Sequence, residues 1–270
     1  MKHIAGSLAV LAVALSFSYA DSGDADLMKK IHQESGTGVV AECKALNKAT
    51  KEFVKTLETT IKTNVKDFKV LHKESLVSFV DSKNTTTMKA FVTAKQTARD
   101  TEKMLRNEFA DKYSESKDLT LQASYATRLV TTQQAMYDSI RSLVATGSLE
   151  KYNLYVKDAM SVVNKNKTLR LEIIMKRIDM MLKCGQGKHD KVIQLIDRVM
   201  TSEMSASKKQ QFLARTTLRM NDMKKKLEKT DKKRGAAFNG AKDDKYDMID
   251  DVLDSVERAS SELEDEKIND

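Results

Sequence analysis

The sequence predicts an all-α fold: an antiparallel bundle of about six or seven amphipathic helices, some of them long. Three observations predict it. The chain contains no proline, the residue that breaks helices and populates loops. Lysine, alanine, leucine, methionine and glutamate are abundant, and all are good helix formers. Apolar residues recur at steps of three and four along most of the chain, the pattern of a helix with one buried face. A β fold would need more aromatic and β-branched alternation than the sequence holds.

The first twenty residues, MKHIAGSLAVLAVALSFSYA, read as a secretory signal. Lys2 and His3 supply the basic tip, Ile4 to Leu15 the apolar run, and Ser18 and Ala20 the small residues that a signal peptidase reads. Cleavage is expected before Asp21. The run is short for a membrane anchor, and no later apolar stretch approaches spanning length. The predicted product is secreted and extracellular. Its 250 residues suffice for one large or two small domains.

The first helix is expected from about Gly38 to Val80, on the stripe Val39, Cys43, Leu46, Phe53, Leu57, Ile61, Val65, Phe68, Leu71, Leu76 and Phe79. The cap-type residues Asp81 to Thr87 end it. A second stripe runs from Met88 through Phe91, Ala98, Leu105 and Phe109 to Tyr113, and Ser114 to Asp118 close it. The third passes Leu119, Ala126, Leu129, Met136, Ile140 and Leu143. Thr146-Gly147-Ser148 ends it, with glycine expected in the left-handed cap. A fourth starts at Leu149 and reaches Cys184, with Asn164 to Thr168 as a break in its middle. The glycines of Cys184-Gly-Gln-Gly-Lys188 predict a turn, and His189-Asp190 the start of a short fifth helix over Val192 to Met200. Ser207 and Gln210 have capping-box spacing for a sixth, over Leu213, Met220, Met223 and Leu227. Gly235 to Asp244 read as a flexible linker and Lys245 to Asp270 as an acidic helix and tail. The predicted domains are therefore 1–20 signal, 21–234 bundle, 235–244 linker and 245–270 tail.

The stacked amphipathic helices resemble those of exchangeable apolipoproteins in periodicity. The missing proline-punctuated repeats depart from that family, and no residue carries over from it.

Two cysteines, Cys43 and Cys184, remain after processing. In an oxidising compartment the pair predicts one disulfide, tying the first helix to the fourth. Asn84-Thr-Thr and Asn166-Lys-Thr fit the N-glycosylation acceptor, and both fall in predicted breaks.

No G-x-S-x-G, H-E-x-x-H or phosphate-cradling glycine loop occurs, and the histidines are few and scattered. The expectation is a non-enzyme without metal or cofactor. The signal that carries binding chemistry is Met223 to Gly235. Met223-Lys-Lys-Lys-Leu-Glu-Lys-Thr230 has the spacing often associated with heparin-like glycans. On a helix Lys224, Lys225, Lys226, Lys229, Lys232 and Lys233 fan over one arc, while Met220, Met223 and Leu227 hold the opposite one; Arg234 ends the basic run. Lysine is a point charge that accepts sulfate or phosphate without strict geometry. Nucleic acid is not expected as a partner of a secreted chain in which no aromatic residues interleave the basic ones.

Charge is distributed unevenly. Lys208 to Lys242 hold twelve basic and three acidic side chains, and Asp243 to Asp270 hold twelve acidic and three basic. The last helix could therefore fold back on the sixth and cover its basic face. The function expected is that of a secreted helical interaction protein that engages an anionic glycan or other extracellular macromolecule. The alternative is a carrier of a lipid or small apolar ligand, resting on the methionines of the second half, Met175 to Met223, which suit adaptable pockets.

Overall fold

The computed structural model describes residues 22–234 and 240–269, with side chains over 41–228 and 246–263. Among them are six α-helices and two short 3₁₀ turns, and no strand. The predicted signal segment and residues 235–239 of the predicted linker lie outside the described residues. No described helix is long and apolar enough to cross a membrane.

Helix α1 covers Ser22–Leu71, so it begins well before the first apolar stripe. The 3₁₀ turn Leu76–Phe79 follows it. Helix α2 covers Thr85–Ser116. Its N-cap is Asn84, whose side-chain oxygen accepts from the backbone N–H groups of Thr86 at 3.0 Å and Thr87 at 3.1 Å. Its C-cap is Lys117, in the left-handed region at φ 56°. Helix α3, Thr120–Arg141, starts three residues later, where Asp118 accepts from the Thr120 N–H at 2.8 Å. Gly147, expected to supply a left-handed cap, lies instead in the second 3₁₀ turn, Thr146–Ser148.

Helix α4 is the main departure from the sequence pattern. It runs unbroken over Leu149–Met200 and so absorbs two predicted helices, the Asn164–Thr168 break and the Cys184–Lys188 turn. Asn164–Thr168 stays helical because its polar side chains have partners inside the bundle. Asn166 accepts from the Asn64 amide at 2.8 Å, and the Lys167 ammonium donates to Glu102. At Gly185 the missing side chain lets a neighbouring helix approach: a Cβ there would stand 3.3 Å from Met248 Sδ. Helix α5, Ala206–Arg234, begins one residue before Ser207, and the Ser205 carbonyl accepts from Lys208 and Lys209. Helix α6 covers Gly240–Asn269, so part of the expected linker is helical.

The chain divides into two compact units, and the division differs from the predicted one. One unit holds residues 49–71 of α1, α2, α3 and residues 149–179 of α4. Its core gathers Phe79, Val80, Phe91, Ala98, Met136, Tyr137, Ile140, Tyr152, Tyr155 and Ala159. At its other end Phe109 stacks on Tyr113 at 5.9 Å between centroids and meets Tyr125 at 5.5 Å. The start of α2 thus packs with the end of α3, and the end of α2 with its start.

The other unit holds the α1 residues before Ala49, α4 from Met180, α5 and α6. Its core comprises Leu195, Ile196 and Val199 of α4, Met204 beyond it, Phe212, Leu213 and Met220 of α5, and Ile249, Val252, Val256, Ala259 and Leu263 of α6. The acidic segment is therefore no appended tail. One face of it completes a hydrophobic core, where burial of each such side chain stabilises by roughly 1.5–3 kcal/mol.

Candidate polyanion-binding surface

The sequence of α5 sorts its residues onto two faces. Met220 is buried, and Met223 and Leu227 pack against the core of their unit. Lys225 and Lys226, on the other side of the same turns, are exposed. Lys224 lies between the faces. Its ammonium donates to Asp250 Oδ1 of α6 at 2.7 Å, and both side chains are partly exposed. The acidic helix therefore engages this basic face at Lys224. An exposed pair of this kind contributes about 0–1 kcal/mol to stability but removes one cation from outside use. The side chains of Lys229, Lys232, Lys233 and Arg234 lie outside the described residues, although the helix continues to Arg234.

Cys43 and Cys184 meet in the same unit, as expected from the pairing of α1 with α4, but as free thiols rather than a disulfide. Cys184 is buried. Burial first, and then the neighbouring Cys43 thiol, push the Cys184 thiol up to about 12. A protonated Cys184 avoids placing a thiolate in a buried site.

The two glycosylation signals separate sharply. Asn84 is exposed at the head of α2, and its capping contacts use the side-chain oxygen, leaving the amide nitrogen outward. Asn166 is a correction. It is 7 % exposed, sits inside an unbroken α4 and is bonded to Asn64, so the folded chain has no room for a glycan there. The methionines of the predicted carrier site are core residues: Met204 and Met220 belong to the packed cluster, and Met200 and Met223 lie against it.

Sequence reading missed a polar seam in the unit spanning residues 49–179. Glu102 and Lys167 form a buried ion pair, with Arg106 Nη2 4.0 Å from the other carboxylate oxygen. Burial lowers the Lys167 pKa, against the opposing pull of Glu102. His72 Nε2 lies 2.9 Å from Asp158, and its ring packs with those of Phe68 and Tyr155 in a cluster of three. Glu108 joins α2 to α3 by accepting from Tyr125 at 2.6 Å and Arg128 at 3.2 Å. These hydrogen bonds hold the Glu108 carboxyl down to about 2. The Tyr113 hydroxyl donates to Asp179 at 3.0 Å, and burial with that carboxylate pushes the phenol up to about 12. One signal was available: Glu102 takes the stripe position between Ala98 and Leu105, and Lys167 that between Val163 and Leu171. Among the described residues no three His, Cys, Asp or Glu side chains converge to hold a metal ion.

No family model matches this chain, and no curated protein or solved structure matches it either.

Proposed function

We propose that the mature chain is a secreted, non-enzymatic binding protein that engages an anionic glycan or comparable extracellular macromolecule through lysine faces of an antiparallel helical bundle. The observation that carries this reading is the two-sided α5. Met220, Met223 and Leu227 anchor the helix in a core while Lys225 and Lys226 face outward. A rigid helix presents such charges without first having to order them, which lowers the entropy cost of binding. The leader-like start of the chain and the absence of catalytic motifs support the secreted, non-enzymatic part of the reading. The excess of 43 basic over 27 acidic side chains in residues 21–242 supports an anionic partner.

The test is elution of the full mature chain from immobilised heparin along a salt gradient. Wild type is expected to elute above physiological salt. Lys224→Ala/Lys225→Ala/Lys226→Ala should elute earlier, and Asp250→Asn, which releases Lys224, later. Removing α6 altogether would be a poor substitute, because α6 supplies core residues. Elution of wild type below physiological salt would refute the reading.

A further inference from the structure

A second lysine surface runs along α1. Between residues 49 and 71 the helix carries Lys51, Lys55, Lys62, Lys66 and Lys69. Lys55, Lys62 and Lys69 are seven residues apart, and Lys51 and Lys66 fall three or four residues from their neighbours. At 3.6 residues per turn all five lie within roughly 60° of arc, along about 27 Å of helix axis. Thr59 and Glu58 flank that arc, each roughly 20° beyond one of its edges. Every one of these lysines is exposed, and none of their ammonium groups makes a hydrogen bond or ion pair among the described residues. The nearest carboxylates in angle, Glu52 and Glu58, fall outside the arc, and Glu58 is taken by Arg177 at 3.3 Å. The opposite side of the helix is anchored by Leu57, Ile61, Asn64 and Phe68, all half-buried. Phe68 packs against the core of this unit.

Like charges at these spacings repel one another along a helix. A ribbon of five, without one internal counter-charge, is a surface whose neutralising partner comes from outside. We infer that the α1 ribbon is the principal docking surface for a linear sulfated polysaccharide, with α5 an accessory site. The inference rests on the anionic-partner reading above and adds a location and a chemical class to it. The ribbon is all lysine, so it offers compact point charges that take the sulfate groups of a repeating chain without strict geometry. It is narrow and about 27 Å long, which fits a chain laid along it better than a single anion. It carries no aromatic ring on which a nucleobase could stack. The exposed large apolar residues of this stretch, Val65, Val70 and the terminal Leu71, do not make the broad Leu, Phe or Trp face by which interfacial helices enter a membrane.

The test compares the full chain with two variants, Lys55→Gln/Lys62→Gln/Lys66→Gln and Lys224→Ala/Lys225→Ala/Lys226→Ala. The probes are a defined heparin oligosaccharide, the same oligosaccharide after desulfation, and vesicles of mixed neutral and anionic phospholipid. The α1 variant is expected to lose about 10- to 100-fold in affinity for the sulfated probe at 0.15 M salt. The slope of log affinity against log salt should fall by about two to three, near one per lysine removed. Its helical circular dichroism should be unchanged, because all three lysines are exposed. The α5 variant should lose less, and the desulfated probe should not bind. If only the α5 variant loses affinity, the ribbon is overturned while the anionic-partner reading stands. Binding to vesicles but not to the sulfated probe overturns it in favour of a membrane surface. If wild type binds neither, both readings fall.

Discussion

The buried pair Glu102–Lys167 is the contact on which a single substitution should act most strongly. Its side chains are 11 % and 10 % exposed, so neither charge is well solvated. The two ends are not equivalent. Glu102 retains a second cation, Arg106, at 4.0 Å, and Arg106 is itself about one-third exposed. Among the described residues Lys167 has only Glu102 as a carboxylate partner, with Arg106 and Arg170 near enough to disfavour its charge. Glu102→Gln leaves a buried ammonium facing a neutral acceptor. Removing one partner of a buried pair costs about 3–5 kcal/mol, and the amide oxygen should keep the loss near the lower end. Lys167→Met leaves a carboxylate that Arg106 can still reach, and should cost about 1–2 kcal/mol. The double change Glu102→Leu/Lys167→Met replaces two charges by apolar groups of similar volume and should come within about 1 kcal/mol of wild type.

The assay is urea unfolding of the four proteins at neutral pH, repeated at high pH. Burial depresses the Lys167 pKa, and losing Glu102 removes the influence that raises it. With a folded pKa below the unfolded one, the unfolded chain holds more protons, so stability rises with pH. The deficit of Glu102→Gln should therefore narrow as pH approaches the ordinary lysine value of about 10.4. The reasoning is refuted if Glu102→Gln costs no more than Lys167→Met, or if the double variant is less stable than both singles.

Two further outcomes follow from the geometry. Glu108 is held at about 2 by Tyr125 and Arg128, below the unfolded carboxylate range, so its contribution is present above about pH 4.3 and lost as pH falls toward 2. Because its side chain is 39 % exposed, the difference between wild type and Glu108→Gln should stay under about 1 kcal/mol at pH 6 and vanish near pH 2, as read from paired denaturation curves. Gly185→Ala should stabilise by up to about 1 kcal/mol, since alanine is the better helix former and, among the described residues, the new methyl meets only the flexible end of Met248. Gly185→Leu should instead lower the melting temperature by overpacking the approach of α6, and equal melting temperatures for the two variants would contradict the packing.

Much of the fold was legible because an amphipathic stripe is a local property. The boundaries of α2 and α3 follow from Asn84, Asp118 and the stripes between them. The two faces of α5 follow from Met220, Met223 and Leu227 against Lys224, Lys225 and Lys226. What failed was the reading of interruptions. Asn164–Thr168 and Cys184–Lys188 have the composition of turns, yet α4 continues through both. Helix propensity differs by only about 1 kcal/mol per residue, and a bonded Asn166, a paired Lys167 and a close helix contact at Gly185 outweigh it. The disulfide was inferred from count and compartment, and count cannot say that the two sulfur atoms stand as unbonded thiols.

The candidate surfaces divide along the same line. The basic run of α5 is contiguous and could be found by eye. The α1 ribbon is dispersed over nineteen residues and becomes a surface only when the helix winds and its apolar side is buried. The sequence by itself determined that this chain is helical, which face of each helix is apolar and where cationic residues accumulate, because those follow from periodicity of 3.6 and from composition. Only the tertiary structure decided which polar residues turn inward as partners, as Asn166 and Lys167 do, and which lysines are left without a counter-charge. Partnership depends on residues far apart in the chain, brought together by packing that no local pattern encodes.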